Sequence, residues 1–143
     1  AMAKLQGQMT TSIVNFIQPA IIEALTNGAE SVERMRQTFA KRATLIHGLI
    51  EAMPGLICPR PTGAFYVFPD VSSHFGKTTP EGRLIDSALS FAEALLEEAK
   101  VGVVPGEDFG SMGVNHVRLS FACSEYDIEQ GCERIKGWLE TLK

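Results

Sequence analysis

His116-Val117-Arg118-Leu119-Ser120-Phe121 decides how the rest of the chain is read. Val117, Leu119 and Phe121 are apolar, whereas His116, Arg118 and Ser120 are polar. That two-residue period belongs to a strand with one face on a core and the other turned away from it. Arg118 therefore falls on the face away from the apolar side. Just upstream, Val101-Gly102-Val103-Val104 reads as a short buried strand running into Pro105-Gly106. Further upstream, Ala64-Phe65-Tyr66-Val67-Phe68 is aromatic and β-branched between Pro61-Thr62-Gly63 and Pro69-Asp70, so it reads as another strand. Leu56-Ile57-Cys58 is a short candidate partner for it.

Helical periods surround these strands. Apolar residues from Ile13 to Leu25 cover more than one helical face, and Asn27-Gly28 ends that helix. From about Ser31 to Met53, apolar positions recur at three- and four-residue steps until Pro54-Gly55 stops them. Leu84, Ala88, Phe91 and Leu95 mark a third helix. Ser124 with Asp127 three residues on starts a fourth, whose buried stripe is Ile128, Cys132, Ile135, Leu139 and Leu142. The order is helix, helix, strand, strand, helix, strand, strand, helix. It predicts an α+β fold, with a small, mostly antiparallel or mixed sheet covered by helices. The whole chain, 1–143, is expected to form a single domain.

Composition narrows function before any motif does. The 143 residues carry a formal net charge of −4, with 45% hydrophobic and 21% charged residues. This is ordinary globular usage, and it lacks the basic excess of a phosphate-backbone binder, so nucleic acid is not the expected partner. No apolar run approaches the roughly 20 residues of a membrane span, and the first residues lack the order of a secretory signal, so no membrane partner and a cytoplasmic location are expected. Cys58, Cys123 and Cys132 are odd in number and without Cys-x-x-Cys spacing. They predict neither a disulfide framework nor a zinc site, but small buried hydrophobes. No metal site is expected, and none of His47, His74 and His116 has a nucleophile at a recognisable spacing.

Three segments can carry chemistry. Arg118 holds a planar fork that matches a carboxylate bidentately, although most strand arginines are solvated surface residues. Gly63-Ala64-Phe65-Tyr66 offers a glycine for close approach and aromatic walls, against the plainer reading of a turn leading into a core strand. Val104 to Gly110 is a rigid turn followed by acidic residues and glycines, either a mobile lip or a simple connection.

Taken together, Pro61-Thr62-Gly63-Ala64-Phe65-Tyr66-Val67-Phe68-Pro69, Val103-Val104-Pro105-Gly106-x-x-Phe109-Gly110 and His116-Val117-Arg118-Leu119-Ser120-Phe121-Ala122 resemble the small C-terminal domain of class I aminotransferases. These are pyridoxal-phosphate enzymes of the aspartate aminotransferase fold. Met2 to Thr10 is similar to the segment that follows the cofactor lysine region in the bacterial aspartate branch, so the likeness spans nearly the whole chain and residues 1–12 read as a link from a large domain. The resemblance implies that Arg118 clamps the substrate α-carboxylate, and that Gly63, Phe65 and Tyr66 lie beside the substrate. It also implies that the Pro105 to Gly110 loop sits near the cleft mouth. Thr10 and Thr11 match a segment that approaches the neighbouring subunit's site, with Ser12-Ile13 in place of the usual Asn-Pro.

The family's Schiff-base lysine context is absent. Lys4, Lys41, Lys77, Lys100, Lys136 and Lys143 all lie outside it. The chain is thus expected to be a C-terminal piece of a longer aminotransferase of aspartate type, a homodimer at full length, acting on an amino acid and a 2-oxo acid through pyridoxal phosphate and inactive by itself. Two other readings stay open: a small α+β ligand-binding or regulatory module for an acidic metabolite, and the aminotransferase-like part of a transcription regulator.

Overall fold

A computed structural model describes residues 2–10 and 13–143. Ala1, Thr11 and Ser12, and with them the expectations placed on Thr11 and Ser12, lie outside the described residues. The chain divides into two compact units, Ala1–Gln37 and Thr38–Lys143.

In the first unit, helix α1 covers Met2–Met9, a helix the sequence patterning did not separate from the linking segment. A short 3₁₀ turn at Asn15–Ile17 leads into α2, Gln18–Asn27. The expected helix from Ile13 is therefore shortened at its start, because Pro19 fits the first helical turn, where its missing N–H costs nothing. Neither α1 nor α2 buries a residue. Met2, Leu5, Met9, Phe16, Ile22 and Leu25 all remain exposed, an apolar surface unusual for an isolated soluble chain. Helix α3 runs Ala29–Glu51 and continues into the second unit.

The second unit holds the core. Strands β1 (Tyr66–Val67), β2 (Val104–Pro105) and β3 (Val117–Ser120) form one antiparallel sheet in the order β1-β3-β2. Tyr66 pairs with Ser120 and Val67 with Leu119; on the other edge Val104 pairs with Arg118 and Pro105 with Val117. Both outer strands are shorter than their apolar runs. Ala64 sits at φ 58°, in the left-handed region that a non-glycine residue occupies at a cost of about 1 kcal/mol, so the extended strand cannot include it. Pro105 has no N–H to give the ladder, and the Gly106 amide turns instead onto the His116 carbonyl at 2.8 Å. Leu56-Ile57-Cys58 contributes only an isolated bridge, Ile57 to Asp70.

Val67, Val117 and Phe121 face Ile46, Ile50 and Met53 of the α3 end, together with Phe91, Leu95, Ile128, Ile135 and Trp138. Helix α4 (Ala88–Ala94) starts later than Leu84 because Ser87 and Ser90 cap one another's backbone amides at 3.1 and 3.0 Å. It ends in a π-helical turn over Leu95–Ala99, closed by Lys100 at φ 59°. Helix α5, Glu125–Leu139, is capped at Ser124 as the sequence implies, the hydroxyl accepting from the Asp127 amide at 3.1 Å. Trp138 packs edge-on to Phe91 at 5.1 Å and donates to the Glu98 carboxylate at 2.9 Å. The three cysteines are free. Cys132 is buried as expected and its thiol is pushed up to about 11, first by burial and then by Cys123; Cys58 and Cys123 are only half-buried.

One buried titratable group gives this unit a pH response. His74 is 2% exposed, and Lys77 Nζ lies 3.2 Å from its Nδ1. Burial, and secondarily the Lys77 ammonium, hold its pKa below the ordinary histidine value. The unfolded chain therefore binds a proton that the folded chain resists. The stabilisation is full above about pH 6.5 and is lost as pH falls from there towards the folded-state value. Urea unfolding is expected to show a lower midpoint at about pH 5.5 than at about pH 7.5, and His74→Gln is expected to flatten that difference. An equal slope in both proteins would exclude His74 as its source.

Candidate functional site

Arg118 stands at the centre of the second unit's exposed sheet face, on the middle strand. Its neighbours in the ladder, β1 and β2, approach it from opposite sides, and each brings an aromatic ring. The Arg118 guanidinium carbon lies 4.6 Å from the ring centre of Tyr66, on β1. It lies 4.6 Å from the ring centre of Phe109 as well, in the 3₁₀ segment Gly106–Phe109 that follows β2. Each contact of this kind stabilises by about 0.5–1 kcal/mol at a partly exposed site. Among the described residues the guanidinium makes no hydrogen bond and no ion pair, so its N–H groups are open to an external acceptor.

The rings around Arg118 form a continuous set. Phe65 lies against Tyr66 at 4.2 Å and against Phe39 of α3 at 5.9 Å. Phe109 meets Phe68 edge-on at 5.9 Å and 88°, and Phe68 stacks flat on His116 at 4.9 Å and 11°. Phe65 is 38% exposed and lies outside the buried core, backing Tyr66. Gly63 is exposed, and nothing lies within 4 Å of where a Cβ would sit, so no close backbone approach is built there. It borders an open groove with Arg60, Pro61, Thr62, Tyr66, Phe68 and His116. The structure thus gathers Arg118 and Tyr66, sets Phe65 one layer behind, and leaves Gly63 on a neighbouring rim. Phe109 was legible only as part of a loop. Its sequence signal is an aromatic residue three positions after a Pro-Gly that ends a strand.

The lysines do not join this arrangement. Lys4, Lys41, Lys100, Lys136 and Lys143 are exposed, and Lys77 is half-buried beside His74. Among the described residues, no group of three or more metal-ligating side chains converges, and no helix is long and apolar enough to cross a membrane. What the Arg118 fork fits is an anion with two coplanar oxygens.

An antiparallel sheet under helices, with a free arginine fork on its middle strand, matches known proteins along nearly its whole length. Residues 1–135 match the family model for aminotransferase class I and II, and the chain belongs to that family. Among its relatives, the aspartate/prephenate aminotransferase of Cereibacter sphaeroides is 37% identical over 99% of this chain and 35% of its own length. The aspartate aminotransferase of Geobacillus stearothermophilus is 39% identical over 99% of this chain and 34% of its own length. The crystal structure of aspartate aminotransferase from Rhizobium meliloti superposes with a TM-score of 0.91 at 34% identity, covering 99% of this chain and 35% of that one. The chain thus spans about a third of the length of the curated relatives it matches.

Proposed function

We propose that the full-length protein carrying this chain is a pyridoxal-phosphate-dependent aminotransferase of aspartate type, moving an amino group from an amino acid to a 2-oxo acid. The observation that carries this reading is the Arg118 guanidinium, held between two rings with its N–H groups free of partners. In this reading Arg118 binds the substrate α-carboxylate by a bidentate, charge-assisted pair, and Tyr66 holds the fork in place. Phe65 supports Tyr66, and Gly63 borders the approach. The cofactor supplies the electron sink for the amino-group chemistry, and its covalent lysine belongs to the rest of the protein. The apolar surface of α1 and α2 supports a homodimer at full length, and a cytoplasmic location goes with this reading.

The test is amino transfer by the full-length protein, with aspartate, alanine and phenylalanine offered as donors to 2-oxoglutarate. In parallel, the 143-residue chain is mixed with pyridoxal phosphate, reduced with borohydride and mapped. Turnover by the full-length protein, with only sparse, scattered labelling of the chain, is the expected result. A stoichiometric adduct on one lysine of the chain would overturn the assignment of the cofactor lysine to the missing part. A full-length protein that binds an amino acid without turnover would be a ligand-sensing module instead.

A further inference from the structure

Phe109 is left without a task by the carboxylate reading alone, yet the loop that carries it is built to hold one position. Its two ends are stapled by backbone: the Gly106 amide donates to the His116 carbonyl at 2.8 Å and the His116 amide to the Gly113 carbonyl at 2.8 Å. Gly106 and Gly113 face each other so closely that a Cβ on Gly106 would fall 2.0 Å from the Gly113 carbonyl oxygen, and one on Gly113 would fall 2.1 Å from that of Gly106. No other residue permits that approach. Between the staples, the Gly110 amide reaches the Glu107 carbonyl at 3.2 Å, and Gly110 takes φ 103°. Glu107 in turn accepts from the Leu89 amide at the start of α4, at 3.3 Å. The product of this scaffold is a phenyl ring, 48% exposed, set against Phe68 on its edge and Arg118 on its face. A ring that exposed contributes little to the core, so so closely fixed a position needs another explanation.

We propose that Phe109 is a positioning residue for Arg118: its ring, held by the Gly106–Gly113 staple, lies 4.6 Å from the guanidinium carbon, as the Tyr66 ring does, and the two contacts together fix the orientation in which the fork meets a ligand. This inference rests on the carboxylate reading of Arg118 and deepens it. A guanidinium donates in its own plane, so a fork held in one orientation favours a planar acceptor with two oxygens in that plane. The arrangement therefore selects carboxylates over sulfonates of the same alkyl chain. It also makes anion affinity depend on the Gly106–Gly113 staple, which touches no ligand.

The experiment uses the full-length protein with Phe109→Leu, Phe109→Trp and Arg118→Gln. It reads KM and kcat for the amino donor, together with competitive inhibition by butyrate and by propanesulfonate, which share an alkyl tail. Phe109→Leu is expected to raise KM about 5- to 30-fold with a smaller change in kcat, and to narrow the preference for butyrate over propanesulfonate. Phe109→Trp, which keeps an aromatic face, is expected to restore both towards wild type. Unchanged KM and unchanged inhibitor preference in Phe109→Leu, while Arg118→Gln raises KM, would overturn the role of Phe109 and leave the carboxylate reading standing. Equal losses in the Leu and Trp variants, with lowered thermal midpoints, would also overturn it by making Phe109 merely structural. An Arg118→Gln protein with unaltered KM would overturn the carboxylate reading itself.

Discussion

Arg118→Gln in the full-length protein is expected to lower kcat/KM for the amino donor by roughly 1.5 to 3.5 orders of magnitude, mostly through KM. Truncating one partner of a hydrogen-bonded charge pair costs about 2–5 kcal/mol, and each 1.4 kcal/mol is about tenfold. The upper end applies if the bound carboxylate is shielded from water, because its charge then stays unpaired. Arg118→Lys is the more informative companion. It keeps the positive charge but loses the planar fork and most of the contact with Tyr66 and Phe109, so it is expected to recover only part of the loss. Steady-state kinetics of the three proteins would check this. Full recovery by lysine would show that charge alone is used and that the planar fork and its contacts with the two rings are incidental.

Phe121→Ala is expected to destabilise the fold by about 3–5 kcal/mol, the usual cost of emptying a fully buried phenyl site. Phe121 is 0% exposed, and its backbone amide donates to the Phe65 carbonyl at 2.9 Å, the bond that sets the start of β1. Its ring also lies 6.3 Å from that of Phe39. Whole-domain stabilities are about 5–15 kcal/mol, so this one substitution removes a large share. In urea, with a slope of about 1–3 kcal/mol per molar, the midpoint should fall by roughly 1–5 M. Phe65→Ala is the internal control. Its ring is partly exposed and outside the core, so its midpoint should move much less. Equal shifts would mean that the two rings share one cluster and that Phe65 is more than a backing for Tyr66.

The alternation in His116 to Phe121 was enough to turn Arg118 away from the core, because a strand allows only two directions for its side chains. The caps at Ser124 and Asp127 and the stop at Pro54-Gly55 were legible for similarly local reasons: each depends on residues within one turn of the backbone. The strand lengths were not. Ala64 reads as an ordinary strand residue, and its φ of 58° is imposed by the path the chain takes from Gly63 to the Phe121 amide. The start of α4 was misplaced because the apolar period continues back through Leu84, whereas the Ser87–Ser90 reciprocal cap decides where the helix begins. The two compact units and the helix over Met2–Met9 likewise left no periodic signature.

By itself, then, the sequence determined the α+β class, the identity and orientation of the arginine on the middle strand, and through its ordered motifs the aminotransferase resemblance. Those depend on side-chain period, capping chemistry and residue order, all local. Only the tertiary structure decided what surrounds Arg118. Tyr66 and Phe109 lie 52 and 9 residues from it in the chain, and both rings reach it because β3 is the middle strand of the sheet. The near contact of Gly106 with Gly113 is of the same kind, since loop closure brings together backbones that no periodicity relates. Cross-strand neighbours are set by pairing order, and pairing order is settled by which apolar faces the whole core can bury at once.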